Sequence, residues 1–222
     1  MKEKIKINDE EYSIQNVTKY LNEQIETKKS RQKNDITKAF RYANDDEWYT
    51  TYEDVEFFIQ NAKIPKDWVV WCPFDLETSN FVKAFKKNGY KVIYSHILYG
   101  QDFYEYVPNE KWDIIVSNPP FRNKHKLIER IIQLGQNKKF ALIFGIQALN
   151  SEKFCNELQS LKRVQYVHLK RRMCFTKDHI NYDIQNLQRP SFASMWICND
   201  LLKKDIQVWE GINYKKINKE FS

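Results

Sequence analysis

Glycine is scarce in this chain, with five in 222 residues, and none follows the first apolar strand of the main domain. A phosphate-cradling loop built on glycine backbone is therefore excluded at that strand end. The four cysteines, Cys72, Cys155, Cys174 and Cys198, form no Cys-x-x-Cys pair, and three sit in apolar surroundings. That spacing excludes a disulfide framework and a structural zinc site and points to a reducing, cytoplasmic setting. The four histidines, His96, His125, His168 and His179, are too dispersed to cluster, so no metal is expected. No apolar run is long enough to span a bilayer, and no charged-then-apolar leader opens the chain, so no membrane association is expected.

What is abundant is positive charge and aromatic surface. The net charge is +7 and the pI about 9.0, which favours a polyanionic partner. Residues 28–41 carry Lys28, Lys29, Arg31, Lys33, Lys38 and Arg41 against Asp35 alone. A second patch, 162–189, holds Lys162, Arg163, Lys170, Arg171, Arg172, Lys177 and Arg189 against Asp178 and Asp183. Tyr166, Phe175, Tyr182 and Phe192 interleave with it, setting rings for bases beside cations for phosphates.

The length supports one substantial core with an appendage. Residues 1–46 are polar and show helical spacing over about 13–28 and 35–43, so they read as a helical N-terminal appendage to a domain over 47–222. Val55, Phe58, Ile59 and Ala62 mark one face of a short helix stopped by Pro65. Beyond it, strands are expected at 68–71, 91–94, 113–116, 140–144, 164–169 and 192–198, with helices at 78–88 and 126–134 closed by Gly89 and Gly135. The alternation predicts an α/β fold: a doubly wound, mostly parallel sheet covered on both faces. The last strands follow one another without a long helix, which predicts an antiparallel strand at the sheet edge.

The strand at 113–116 ends in Ser117-Asn118-Pro119-Pro120-Phe121. Two prolines fix their own φ and hold the residues before them extended, giving a stiff ledge that presents the Asn118 amide, nearby carbonyls and a ring. Such a ledge can accept hydrogen bonds from an exocyclic amine while Phe121 stacks on the heterocycle that carries it. The motif resembles the Asp/Asn/Ser-Pro-Pro-Tyr/Phe signature of S-adenosylmethionine-dependent amino-methyltransferases, of which the phage and bacterial DNA N6-adenine enzymes are the nearest in motif order. The resemblance covers about residues 45–200. It implies a class I, Rossmann-like methyltransferase fold, S-adenosyl-L-methionine as cofactor, and Asn118, Pro119, Pro120 and Phe121 as catalytic residues.

The resemblance also assigns a cofactor site. Pro73-Phe74-Asp75 before a helix resembles a reduced cofactor loop, with Asp75 on the amino group of the methionine moiety and Asn80 completing the wall. Where such folds place a ribose-gripping carboxylate, this chain has Ser95-His96, and Asp102-Phe103 resembles the element that contacts the cofactor's adenine. Tyr49-Thr50-Thr51 resembles an N-terminal cofactor motif, with Thr51 where proline is usual. Asp75 and Thr51 also suit helix capping.

The expected reaction is direct methyl transfer to adenine N6 in DNA, with the target base extruded and held between Phe121 and Phe175. Arg122, Arg171, Arg172, Phe175 and Lys177 are the expected nucleic-acid contacts. The same ledge serves RNA bases (adenine N6 or guanine N2) and protein glutamine, so those remain alternatives. So does a non-catalytic nucleic-acid-binding module on a decayed methyltransferase fold. A homodimer is possible, since few residues remain for a separate target-reading domain.

Overall fold

A computed structural model describes residues 4–7, 10–13, 19, 48–120, 124–135, 137–178, 182–184, 187, 192–214 and 216–217. Its centre is a seven-stranded sheet: β4 (Val69–Pro73), β5 (Lys91–Ser95), β6 (Ile114–Ser117), β7 (Lys139–Gly145), β8 (Val164–Leu169), β10 (Ser194–Asn199) and β11 (Ile206–Trp209), in the order β11-β8-β10-β7-β6-β4-β5. Two short antiparallel pairs stand apart from it. β1 (Lys4–Ile7) pairs with β2 (Glu10–Ser13), and β3 (Tyr49–Thr50) pairs with β9 (Phe175–Thr176).

Strand parity separates two cores. Val70 and Cys72 of β4, Ile114 and Val116 of β6 and Trp196 of β10 face α1 (Tyr52–Ala62) and α2 (Asn80–Lys87). There the Phe58 and Trp196 rings stack at 3.9 Å. Trp71, Ile115, Phe140 and Ile197 face the opposite side, covered by α3 (Lys124–Leu134) and α4 (Glu152–Gln159). Period-2 alternation in the strands meets helix stripes on both faces, which makes the sheet doubly wound as expected. Helix ends also follow the local chemistry. Ser79 caps α2 by accepting from the Val82 N–H, and Gly89 takes φ +79° just beyond it.

Three features differ from the expectation. The antiparallel strand is β10, and it lies inside the sheet between β7 and β8 rather than at the edge. The β7–α4–β8 crossover leaves one position open. β8 ends and β10 begins at the sheet's carboxyl edge, so β10 must run backwards into that gap. The edge itself is β11, parallel to β8, a strand the hydropathy pattern did not mark. Third, β1 and β2 form a hairpin where a helical appendage was expected, with Ile5 opposite Tyr12. Alternating Lys-Ile-Lys-Ile followed by Asn8-Asp9 is a hairpin pattern. The expected helices over 13–28 and 35–43, apart from Ser13 and Lys19, lie outside the described residues, as does the basic run 28–41.

To reach β11 from β10 the chain crosses the start of β8 within residues 200–205. The fully buried Gln165 holds that crossing. Its Oε1 accepts from the N–H groups of Leu201 and Leu202, both at 2.7 Å, and its Nε2 donates to the Leu202 carbonyl at 2.5 Å. Gln165→Ala strands one buried and one partly buried donor and is expected to cost about 2–4 kcal/mol in urea unfolding. A loss under about 0.5 kcal/mol would show that the crossing is held by other contacts.

Candidate active site

Strand order reverses on either side of β4, so the crevice between the carboxyl ends of β4 and β6 is the switch point where ligands of such sheets bind. The loop after β4 has no glycine, yet it makes a glycine-like turn: Phe74 adopts φ +85°. A non-glycine residue there costs about 1–3 kcal/mol. The turn is fixed by the Ser95 carbonyl, which accepts from the N–H groups of Phe74 at 2.9 Å and Asp75 at 3.1 Å. The Phe74 ring packs on Phe103 at 4.9 Å.

Asp75 is buried at the crevice floor. Its carboxylate accepts from Ser117 Oγ at 2.6 Å and from the Ser79 side chain. Burial pushes its pKa up to about 6, against those two hydrogen bonds, which pull it down. No cation pairs with it among the described residues.

On the next strand, Asn118 Nδ2 donates to the Trp48 carbonyl at 2.9 Å, which fixes the amide's orientation. Asn118 Oδ1 is then left buried with no partner. Pro119 is buried and Pro120 exposed, while Phe121 and Arg122 lie outside the described residues. Trp48 leads into β3, whose pairing with β9 sets Tyr49 opposite Thr176 and Thr50 opposite Phe175. Lys177, just past β9, places its Nζ 3.8 Å from the centre of the Trp48 ring. The ledge, the N-terminal motif and the 170s loop thus meet at one place.

Several expected site residues have structural tasks. Asn80 Nδ2 donates to the Thr50 carbonyl at 2.9 Å and ties α2 to β3 rather than lining an open wall. Thr51 caps α1, accepting from the Asp54 N–H, and joins a buried network. In it Asp54 accepts from Thr51 Oγ1 at 3.0 Å, Tyr214 OH at 2.8 Å and the Cys174 N–H at 3.1 Å. Ser95 is fully buried, with its hydroxyl accepting from the Trp71 indole at 3.0 Å, so it faces the core and not a ribose. His96 Nδ1 accepts from the Leu98 N–H, capping the 3-10 turn Ile97–Tyr99, and Asp102 caps the next turn by accepting from the Tyr104 N–H. Phe103 is 2% exposed between Trp71 and Phe74, and Phe175 is 1% exposed in the helix-facing core. Neither ring is open to a ligand. Both replace solvent with apolar contacts.

The second basic patch is divided. β8 separates Lys162 and Arg163 from Lys170, Arg171 and Arg172 by six residues of strand, on the order of 20 Å. At the far end, Lys162 and Lys139 hold Asp200, and Arg163 holds Asp205. At the crevice end Glu210 takes Lys170 at 2.5 Å and Arg171 at 3.2 Å. Gly211 (φ +72°) follows closely; a Cβ there would lie 2.5 Å from the Arg171 carbonyl. Arg172 and Lys177 remain exposed at this end. Sequence reasoning missed Phe192 as a site residue. Because β10 runs backwards from the carboxyl edge, the half-buried Phe192 ring lies over Gly145 at the end of β7.

Residues 75–138 match the family model of the methyltransferase small domain, from the buried Asp75 through the ledge to the start of β7. The seven-stranded, doubly wound sheet is consistent with the class I, Rossmann-like methyltransferase fold, a family whose methyl donor is S-adenosyl-L-methionine. Several solved structures are similar to the chain, among them these two. One is a modification subunit of a putative type I restriction enzyme from Vibrio vulnificus YJ016 (TM-score 0.47, 10% identity, 79% of this chain and 52% of that one). The other is a putative hemolysin from Lactococcus lactis (TM-score 0.45, 9% identity, 77% and 96%). The chain spans about half the length of the modification subunit. No curated protein matches it.

The crevice fits that cofactor chemically. A buried carboxylate without a cation is unfavourable, and the donor's ammonium group would supply the missing charge at Asp75. Among the described residues no group of side chains is arranged to hold a metal ion, and no helix is long and apolar enough to cross a membrane.

Asp54 and Asp75 both titrate near 6 in the folded chain, raised from the ordinary 3.8 chiefly by burial. The folded state therefore keeps protons that the unfolded state has released between about pH 4 and 6. Their contribution to stability is full below about pH 4 and is lost as pH rises through 6. Relative to Asp75→Asn, followed by denaturant unfolding, the parent should lose stability as pH rises over that window and level off above it. A pH-independent difference would mean that Asp75 titrates at its ordinary value.

Proposed function

We propose that the chain transfers the methyl group of S-adenosyl-L-methionine to the exocyclic N6 amine of adenine in DNA. The observation that carries this reading is the Asn118 amide, pinned through Nδ2 to Trp48 with Oδ1 buried and unpaired. A buried acceptor left without a donor is costly, and an amine hydrogen is the donor it lacks.

Bound S-adenosyl-L-methionine supplies an electrophilic methyl group on a sulfonium. Asp75 holds the donor's ammonium end at the switch point. Asn118 Oδ1 and the Pro119 carbonyl accept the two amine hydrogens, which localises a lone pair otherwise delocalised into the ring and aims it in line. Catalysis then rests on orientation and fixed dipoles, and no cysteine takes part. Arg172, Lys177 and the Lys170–Arg171 pair give this end of the sheet the charge for a phosphate backbone, which supports nucleic acid as the partner. Phe192 takes the aromatic role expected of Phe175.

Transfer of a labelled methyl group to DNA, RNA and protein pools, followed by nucleoside analysis, tests the reading. The expected product is N6-methyladenine in DNA. Label on guanine or on glutamine would replace it. Asn118→Ala is expected to lower turnover more than a hundredfold with cofactor affinity within a few-fold, since its bonds strengthen as the amine rehybridises. Equal losses in both would place Asn118 in the cofactor pocket instead. Calorimetry should show cofactor affinity rising with pH through about 6 as Asp75 ionises. Asp75→Asn should bind about tenfold more weakly and lose that pH dependence.

A further inference from the structure

The two most exposed large apolar side chains among the described residues are Ile206 at 73% and Val208 at 56%, and both belong to β11 at the edge of the sheet. On their side of the sheet, α3 and α4 cover the inner strands. Tyr166, beside Ile206 on β8, packs at the fringe of that core, and Ile206 and Val208 lie one strand beyond it. The other face of β11 is satisfied within the chain. There Trp209 packs against the first core and its indole donates to Gln207 Oε1 at 3.0 Å.

The backbone of β11 has an open side as well. The Tyr166 N–H donates to the Asp205 carbonyl at 2.7 Å and the Lys170 N–H to the Trp209 carbonyl at 2.9 Å. In a parallel ladder alternate residues turn to the neighbouring strand, so Asp205, Gln207 and Trp209 face β8. The N–H and C=O groups of Ile206 and Val208 therefore point away from the sheet. Edge strands are ordinarily blunted by lysine, proline, a bulge or a covering segment. At the opposite edge β5 opens with Lys91, paired to Glu110 at 2.6 Å, and its next three residues are half-buried. Ile206–Trp209 holds neither a charge nor a proline.

We propose that β11 is a self-association edge, which pairs antiparallel with β11 of a second copy about a twofold axis through Gln207. Only residues with outward backbone groups can form the hydrogen-bonded pairs, so Ile206 and Val208 must meet outward partners. An axis through Ile206 would set Val208 across from Lys204, and one through Val208 would set Ile206 across from Glu210. The axis through Gln207 sets Ile206 across from Val208 and Lys204 across from Glu210, each twice. Apolar then meets apolar, with opposite charges at both ends, and such cross-strand pairs are the stabilising ones. This self-match is what singles out a second copy as the occupant. The same patch serves both copies, so association closes at the dimer. The axis stands perpendicular to the sheet, so the two crevices open at opposite edges and neither is covered. The inference is independent of the methyl-transfer reading. A four-residue strand makes a small interface, so a Kd in the micromolar range is expected.

Sedimentation velocity of the full chain over about 1–200 μM tests the pairing. The parent should pass from monomer to dimer and go no further. Val208→Lys, at a side chain already exposed in the monomer, should raise the dimer Kd roughly tenfold or more with the melting temperature nearly unchanged. Gln207→Cys reads the register itself. Across the axis its two Cα atoms would stand about 4.5 Å apart as a non-hydrogen-bonded pair, within reach of a disulfide. Under mild oxidant this variant should form a linked dimer, while Val208→Cys and the parent with its own cysteines should not. A parent that stays monomeric throughout, or that grows beyond the dimer, overturns the proposal. So does a Val208→Lys protein that associates like the parent, or a Gln207→Cys protein that links no faster than Val208→Cys. Should Val208→Lys fail to fold, linkage of Gln207→Cys decides alone.

Discussion

The hydrogen bond from Asn118 Nδ2 to the Trp48 carbonyl joins two parts of the chain seventy residues apart and sets what the ledge offers. Two prolines fix the backbone around Asn118, but they leave its side chain free to rotate. The Trp48 carbonyl accepts only from the NH₂ end of the amide, so the oxygen is the atom left buried without a donor. Trp48 is itself held from below. β3 pairs with β9, Asn80 ties the Thr50 carbonyl to α2, and Thr51 enters the Asp54–Tyr214–Cys174 network. Two residues of strand would not be stable alone; the buried network beneath them supplies the rest.

Unfavourable features gather at the same edge. Among the described residues, Phe74 carries a positive φ, Asp75 is a buried acid without a cation, and three side-chain oxygens are buried unpaired. Each costs stability on its own, and such features cluster where a ligand completes the structure. The two cores offset them. The Phe58–Trp196 stack on one face and the Trp71–Trp112–Phe103 group on the other lie directly under the strands that hold the site. A rigid sheet with apolar layers on both sides can hold a strained loop at its rim, because the loop's displacement would open the core beneath it.

Charge is arranged by edge. At the edge where β7 and β8 begin and β10 ends, Lys139 and Lys162 surround Asp200 and Arg163 grips Asp205, so cations there are consumed in holding the β10–β11 crossing. At the carboxyl edge Glu210 takes up Lys170 and Arg171, while Lys177 lies against the Trp48 ring. The net charge of +7 therefore says less about a binding surface than the position of the few cations beside the crevice. Exposed ion pairs are weak and exchange readily for a phosphate.

Much of this was legible in the order of residues. Period-2 apolar strands, amphipathic helices and a Ser cap and Gly89 at opposite ends of α2 specify a doubly wound α/β sheet, because each signal is local and agrees with its neighbours. The extended ledge at 118–120 is equally local, since proline dictates it wherever the chain goes. Parity and reach over long separations were not legible. Whether Phe175 or Phe192 meets the crevice depends on β10 running backwards into the gap beside β7, and no nearby residue encodes that direction. Nor could the spacing reveal that Ser95 turns to Trp71, that Asn80 holds Thr50, or that one basic run is divided by the length of β8. The sequence by itself determined six of the seven sheet strands, the stiff ledge and the candidate acid. The tertiary structure alone decided which of those side chains share one crevice, because strand order is set by the burial of both sheet faces at once.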